Sequence, residues 1–287
     1  MGDLVVYRVA SATELLAAGQ AMLLMDEALH SRLLGALGAL REDPDREREA
    51  DLLLVLDEGE PVGVGVRTPP YPLQVSAGPS GVAAARALAE HLAGEAMVSG
   101  VIGPVEPAAA FRDVWVDRTR VRSRAGLSLR VHRATAVAAP RKVTGALRQA
   151  DRDDIDLLVE WSLAFSAEAL TDDPTDHIPA MIARVVGREP SRGTIYLWEV
   201  EGDQVSIAAT AGPTPNAIRV LNVYTPPDLR GRGYASACVA AVTQGELDRG
   251  RREVHLSTDL ANPTSNAIYT AIGYLPVGDE QVWHFEA

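Results

Sequence analysis

The spacing of apolar residues in the second half of the 287-residue chain predicts alternating strands and helices. Short apolar runs between turn residues indicate strands, and apolar positions three to four residues apart indicate helices. The predicted strands cover residues 143–148, 194–200, 205–210, 217–224, 253–257 and 281–285. One helix is expected to follow Asp151, a good N-cap, and others are predicted at residues 178–186, 234–249 and 262–272. The resulting order is β-α-α-β-β-β-α-β-α-β.

The first half repeats much of this order. The predicted elements are a helical stretch at 15–40, a hairpin of strands at 51–56 and 62–67, a strand at 72–76, a helix at 82–92, and strands at 114–117 and 127–131. The charged run 41–51 predicts a solvated loop or an exposed helix. The hairpin turn at 57–60 closely resembles the turn at 201–204. The repetition indicates an internal structural duplication.

A short segment between the halves is the best candidate for a linker. Residues 134–142 are small, include a proline and show no apolar periodicity. We therefore predict two domains, residues 1–138 and residues 139–287.

Composition excludes several classes of protein. A net charge of -12 argues against nucleic acid as a partner, since phosphate binding favours a basic surface. No apolar run reaches the ~18 residues of a membrane-spanning helix, so no membrane partner is expected. The single cysteine, Cys238, excludes an internal disulfide and a cysteine-based metal cluster, and the histidines show no metal-ligand spacing. We expect a cytoplasmic protein without a metal.

The most informative segment is the arginine- and glycine-rich loop after the strand at 217–224. Two prolines follow that strand and end it, because neither can donate to a ladder. Gly231 and Gly233 permit backbone angles closed to other residues, and the next helix directs its free N–H groups and dipole at the loop. Arg230 and Arg232 add charge and bidentate donors. The segment predicts a site for a phosphorylated cofactor.

Two other phosphate-binding motifs fit this loop poorly. A P-loop requires a Gly-Lys-Ser/Thr step, which the chain lacks. A dinucleotide-binding fingerprint requires a third glycine where Ser236 stands, and it turns tightly from its strand, whereas this loop is long.

The second half, from about residue 143 to 285, resembles the GNAT superfamily of acyl-CoA-dependent N-acyltransferases. The family's loop pattern is Arg/Gln-x-x-Gly-x-Gly/Ala, and residues 230–235 read Arg-Gly-Arg-Gly-Tyr-Ala. A second motif agrees, with Asn262 as N-cap, Pro263 at the first helical position and Gly273 as C-cap. The resemblance implies an α/β (α+β) fold with two GNAT-like domains, each a mixed, mostly antiparallel sheet flanked by helices. The first domain lacks the cofactor loop and is degenerate.

The resemblance also implies a function and a set of site residues. It implies direct transfer of an acetyl group from acetyl-CoA, a co-substrate, to a primary amine of a small molecule or peptide. Tyr269 is expected to protonate the departing thiolate, since its ordinary pKa of ~10 exceeds that of a thiol. The expected cofactor-binding residues are Val223, Tyr224, Thr225, Arg230, Gly231, Arg232, Gly233, Tyr234, Ala235, Ser236, Asn262 and Asn266.

Several points stay open at this level. The general base could be Asp259, Glu168, His177, a water relay or a C-terminal carboxylate. The first half is expected to wall the acceptor cleft, to complete a shared sheet or to support dimerisation, so a monomer and a homodimer are both compatible. The alternative to an enzyme is a CoA-binding or regulatory protein without catalysis, since fold does not guarantee activity.

Overall fold

The computed structural model describes residues 4–94, 97–138, 142–170 and 174–286. Backbone contacts divide the chain into two compact units. Unit 1 comprises Met1–Val131, Asp259–Ala261 and Val277–Ala287, and unit 2 comprises His132–Thr258 and Asn262–Pro276. Residues 139–141, which are part of the predicted linker, lie outside the described residues. The predicted boundary between residues 138 and 139 falls at their edge. The division at that position stays a prediction.

Unit 1 contains a mostly antiparallel sheet flanked by helices. Its strands are β1 (Val5–Arg8), β2 (Asp51–Asp57), β3 (Glu60–Arg67), β4 (Leu73–Val75), β5 (Gly100–Pro104), most of β6 (Arg122–Ala134) and most of β12 (Leu275–Glu286). Their order is β1-β2-β3-β4-β5-β12-β6, and β4 and β5 form a parallel pair. Its helices are α1 (Ala12–Leu23), α2 (Ser31–Arg41), α3 (Pro44–Glu49), α4 (Gly81–Leu92) and α5 (Val105–Thr119).

The core of unit 1 lies on both faces of this sheet. Leu53 and Val55 of β2 pack with α4 and α5, whereas Leu52 and Leu54 of the same strand pack with α1 and α2. Successive side chains of a strand point to opposite faces, so one apolar strand contributes to both layers. The uninterrupted apolar run of β2 follows from this double burial.

Two predictions for unit 1 are wrong. Residues 114–117 form the end of α5 and not a strand, because Phe111 and Trp115, four residues apart, stack at 5.7 Å on the buried face of a helix. Residues 15–40 do not form one helix. The chain turns after Leu23, and the buried His30 contacts the Leu23 carbonyl through Nδ1 at 2.7 Å.

Unit 2 has the predicted order from its first strand to its last helix, whereas the predicted terminal strand at residues 281–285 lies in unit 1. Its strands are β7 (Ala146–Gln149), β8 (Ile195–Val200), β9 (Asp203–Ala211), β10 (Ala217–Tyr224) and β11 (Glu253–Asp259), and its helices are α6 (Ile155–Ala169), α7 (Ile178–Val185), α8 (Tyr234–Asp248) and α9 (Pro263–Ile272). The strands lie in the order β11-β10-β9-β8-β7, with only β10 and β11 parallel. Asp151 caps a short 3-10 turn that leads into α6.

Helices also cover both faces of the unit 2 sheet. Tyr196 and Trp198 of β8 pack with α8 and α9, and the alternate residues Ile195 and Leu197 pack with α6 and α7. Helix α8 therefore lies against one face of the sheet, with its first residue close in sequence to the end of β10. This arrangement places the arginine- and glycine-rich loop beside the carboxyl end of a parallel strand pair.

Candidate functional site

Strands β10 and β11 form a short parallel pair. Residues 217–219 pair with residues 253–255, and no further pair joins the two strands within the described ranges, although β10 runs on to Tyr224. The strands separate beyond Arg219, and the backbone of residues 220–224 has no β11 partner. An extended ligand can use such an edge as an added strand does.

A β-bulge shapes the free end of β10. The pairing with β9 shifts between Leu221 and Tyr224, and Asn222 has a positive φ of 50°. Asparagine tolerates this conformation better than most residues, and its presence near the end of a mostly apolar strand is the signal that sequence reasoning overlooked. The Asn222 amide donates to Ser162 Oγ of α6 at 2.8 Å, which fixes the bulge against the helix.

The predicted pantetheine contacts Val223, Tyr224 and Thr225 lie at this end of β10. The carbonyl of Tyr224 accepts a hydrogen bond from Ser206 Oγ at 3.0 Å, and that of Thr225 accepts one from Arg230 Nε at 2.9 Å. Each carbonyl oxygen has a second lone pair, so these bonds hold the strand end without excluding a ligand. Main-chain binding of pantetheine here stays a prediction.

The loop between β10 and α8 carries a run of backbone amides at residues 231–236, which we call the amide nest. Gly231 and Gly233 have φ values of 77° and 85°, and Gly233 is the N-cap of α8. The first amide of α8 with a backbone acceptor is that of Ala237, which donates to Gly233 at 3.0 Å, and the amides of residues 231–236 donate to no acceptor among the described residues. Free amides in a nest at a helix N-terminus attract an anion.

The two arginines of the loop make different contacts. Arg230 donates through one terminal nitrogen to both carboxylate oxygens of Glu168, at 2.7 and 3.0 Å, and lies 5.6 Å from the ring centre of Tyr224. Arg232 is exposed and donates to the Asp228 carbonyl at 3.2 Å. The pairing of Arg230 with a residue of α6, 62 positions away, was not visible in the sequence.

Helix α9 has the predicted caps. Asn262 Oδ1 accepts the Ser265 amide at 3.0 Å, Pro263 begins the helix, and Gly273 ends it with a φ of 110°. Asn266 accepts the Thr258 hydroxyl at 2.6 Å and donates to the Asn262 carbonyl at 2.8 Å. Both asparagines therefore also have structural contacts, and their binding of cofactor stays a prediction.

Tyr269 lies in the core beneath α8. It is 8% exposed, its ring meets Tyr274 edge to face at 6.0 Å, and its hydroxyl has no hydrogen-bond partner within the described part of the chain. The hydroxyl of Tyr274, by contrast, is bonded to Thr243 at 2.7 Å. Burial raises the pKa of Tyr269 well above its ordinary value, so the phenol keeps its proton at neutral pH.

The candidate general bases are not brought together. Glu168 is paired with Arg230, and Asp259 accepts the Ala261 amide at 2.9 Å within a turn. His177 is exposed just before α7. Cys238 is buried, which raises its pKa and suppresses the reactive thiolate.

The corresponding loop of unit 1 differs from the nest. The amide of Ser76 donates to Val64 at 3.0 Å, and that of Ala77 donates to His30 Nε2 at 2.9 Å. A Cβ on Gly103 of β5 would lie 2.6 Å from the Val75 carbonyl oxygen, so β4 and β5 approach closely where β10 and β11 separate. These amides serve the fold and are not available to an anion.

Among the residues that the structure describes, no group of three His, Cys, Asp or Glu side chains is arranged to hold a metal ion. None of the helices in the described ranges combines the length and apolar character that crossing a membrane requires.

The fold is that of the GNAT-type N-acetyltransferases, with tandem domains. A GNAT-family acetyltransferase from Colwellia psychrerythraea is 11% identical, with a TM-score of 0.58 over 99% of this chain and 100% of that one. A GCN5-related N-acetyltransferase from Sphaerobacter thermophilus is 17% identical, with a TM-score of 0.59 over 98% and 95% of the two chains. A Drosophila protein is 13% identical, with a TM-score of 0.68 over 98% and 99%.

The model of the FR47-like protein family matches residues 201–284. This range contains β10, the amide nest, α8 and α9, so the sequence match falls on the candidate site. A comparison with curated proteins gave no match.

Proposed function

We propose that unit 2 is an acetyl-CoA-dependent N-acetyltransferase that acts on a primary amine. The observation that carries this proposal is the nest of residues 231–236, whose six amides have no acceptor in the described part of the chain and stand at the N-terminus of α8. Such a site suits the pyrophosphate of CoA, which carries several charged oxygens. The free edge of β10 beside it suits the amide-containing pantetheine arm.

Acetyl-CoA would supply an acetyl group activated as a thioester. The contribution of the protein is to orient that group, to keep its carbonyl near backbone donors at the end of β10, and to manage two protons. Val223 and Tyr224 are the candidates for the backbone donor, because the bulge fixes them where β10 loses its β11 partner.

Tyr269 is the proposed proton donor. The amine nitrogen would form a bond to the acyl carbon while the carbon–sulfur bond breaks, and the phenol would give its proton to the departing sulfur. Its hydroxyl has no competing partner among the described residues. Burial raises its pKa, so the phenol carries its proton at neutral pH. The proton of the attacking amine would leave to water or to a carboxylate.

The proposal is tested with the full chain, acetyl-CoA and a panel of small amines and peptides, by following release of the free thiol. CoA affinity is measured separately by titration calorimetry. Tyr269→Phe should lower turnover about tenfold or more and keep CoA affinity. Tyr274→Phe is the matched control, because that hydroxyl is occupied by Thr243 in the same core. CoA binding without thiol release from any amine would instead indicate a non-catalytic CoA-binding protein.

A further inference from the structure

The ion pair between Arg230 and Glu168 occupies the arginine that begins the amide nest. Arg230 directs one terminal nitrogen at both oxygens of Glu168, at 2.7 and 3.0 Å, and its Nε at the Thr225 carbonyl at 2.9 Å. The adjacent amides of residues 231–236 have no acceptor within the described residues. A carboxylate thus neutralises the guanidinium while the neighbouring amides stay open.

This ion pair can be broken at little cost. The side chains of Arg230 and Glu168 are 46% and 47% exposed, and ion pairs so open to water stabilise proteins only weakly. A phosphate group offers more charge and more acceptor oxygens to a guanidinium than a carboxylate does. A phosphate in the nest and the Glu168 carboxylate would therefore compete for one guanidinium.

We propose that the Glu168 carboxylate occupies the place of a phosphate on Arg230 and that the phosphates of CoA displace it. This inference rests on the proposed function and adds a binding order to it. The displaced carboxylate stays on α6 beside Tyr224 and becomes available to a cationic amine. CoA therefore binds first and prepares the acceptor side of the site. Toward the cofactor, Glu168 acts only through Arg230, and toward the amine it is a binding group.

The surroundings of Tyr224 support this position for the released carboxylate. Arg230 bonds Glu168 at 2.7 Å and lies 5.6 Å from the ring centre of Tyr224, so the carboxylate lies near that ring. Burial and then the charge of Glu168 raise the pKa of Tyr224. The ring of Tyr224 also contacts Trp161 of α6, at 6.2 Å between ring centres. An ammonium group near Glu168 would thus meet one negative charge and aromatic faces, a combination that suits cations.

The test compares CoA affinity in four variants by titration calorimetry. If Glu168 competes with CoA for Arg230, Glu168→Gln should bind CoA about two- to fivefold more tightly than the wild type. If Glu168 only holds Arg230 in position, the same variant should bind CoA more weakly. Glu160→Gln is the matched control, since it removes one exposed carboxylate from the same helix without touching Arg230.

A double variant removes the remaining ambiguity. Arg230→Gln should weaken CoA binding, and adding Glu168→Gln to it should give no further change, because the competition acts only through the arginine. The inference would be overturned if Glu168→Gln raised CoA affinity equally in the wild type and in Arg230→Gln. It would also be overturned if Glu160→Gln raised CoA affinity by the same factor, because either result would show a general charge effect. Absence of CoA binding by the wild type would overturn the proposed function itself, which is a separate result.

Binding order gives a second readout. Product inhibition and initial rates should show an ordered mechanism in the wild type, with acetyl-CoA first. Glu168→Gln should raise the KM for the amine by about fivefold or more while the KM for acetyl-CoA falls. An unchanged KM for the amine would contradict the second part of the inference.

Discussion

Ser206 of β9 donates its hydroxyl hydrogen to the main-chain carbonyl of Tyr224 at 3.0 Å, across the bulge at the end of β10. Ser206 Oγ also lies 2.9 Å from Thr225 Oγ1, which can donate to it in turn. Ser206 is fully buried, so this short chain of hydrogen bonds is shielded from water. It fixes the last residues of β10, where the backbone edge that is proposed to bind pantetheine meets the amide nest.

Ser206→Ala should therefore affect both stability and binding. It leaves a buried carbonyl without its donor, which costs about 1–3 kcal/mol of the free energy of unfolding. CoA affinity should also fall about threefold or more, because the strand end loses its preorganised position. Urea denaturation and calorimetric titration measure the two effects. Thr214→Ala is the control, since Thr214 bonds Ala217 at the opposite end of β10, and it should lower stability while CoA affinity is kept.

The geometry of the nest can be tested at Gly231. A Cβ there meets open space, so Gly231→Ala should cost only the backbone strain of a positive φ, about 1–2 kcal/mol. Gly202→Ala is the matched control, because Gly202 also has a positive φ, 93°, and open surroundings but lies in a hairpin turn. Both variants should lose similar stability. Only Gly231→Ala should bind CoA more weakly, by about two- to fivefold or more. Equal CoA affinities in the two variants would contradict the role of the nest.

One CoA should bind per chain. The unit 1 loop has its Ser76 and Ala77 amides engaged by Val64 and His30, so it should contribute no second site. Titration calorimetry should give a stoichiometry of about one, as a single intact nest requires. A stoichiometry near two would show that unit 1 rearranges to bind the cofactor.

His30 predicts a pH dependence of stability in unit 1. Burial lowers its pKa, and its Nε2 accepts the Ala77 amide, so the folded protein requires the neutral ring. Asp26 and Glu280 oppose this shift only in part. Because the folded pKa lies below the unfolded value of ~6.5, the unfolded chain binds more protons in between. Stability is complete above pH ~6.5 and falls, by up to about 1.4 kcal/mol per pH unit, as the pH drops through the folded pKa.

The His30 contribution can be isolated by substitution. His30→Gln should lower stability at neutral pH yet flatten the dependence on pH between about 6.5 and 5. Chemical denaturation at several pH values provides the measurement, and a slope in His30→Gln equal to that of the wild type would show that another group titrates.

The second half could be predicted from its sequence because local signals and tertiary structure agree there. Pro226 and Pro227 end β10, glycines shape the nest, and Asn262 with Pro263 starts α9, all through contacts a few residues apart. The contacts that join elements were not predictable in the same way. Asn222 reaches Ser162 and Arg230 reaches Glu168 only because α6 packs on the sheet, and no local pattern records that packing.

Unit 1 shows where local signals mislead. Val114, Trp115 and Val116 have side chains typical of strands, yet they are helical because Trp115 reaches the buried cluster of Phe111 and Phe285. Strand β5, which precedes this helix, contains two glycines and was not recognised, since its place in the sheet depends on partners far along the chain. Tertiary packing decides both cases.

The path of β12 has a consequence for biosynthesis. In the sheet of unit 1 this strand stands between β5 and β6, and residues 280–284 pair with residues 100–104. Those residues leave the ribosome only after residues 132–276 have been made. Unit 1 therefore completes its sheet only after residues 132–276 have been made, and until then β5 and β6 lack the strand that stands between them. A fragment that ends at residue 138 would lack β12, so the edges of β5 and β6 that pair with β12 would be exposed to other chains.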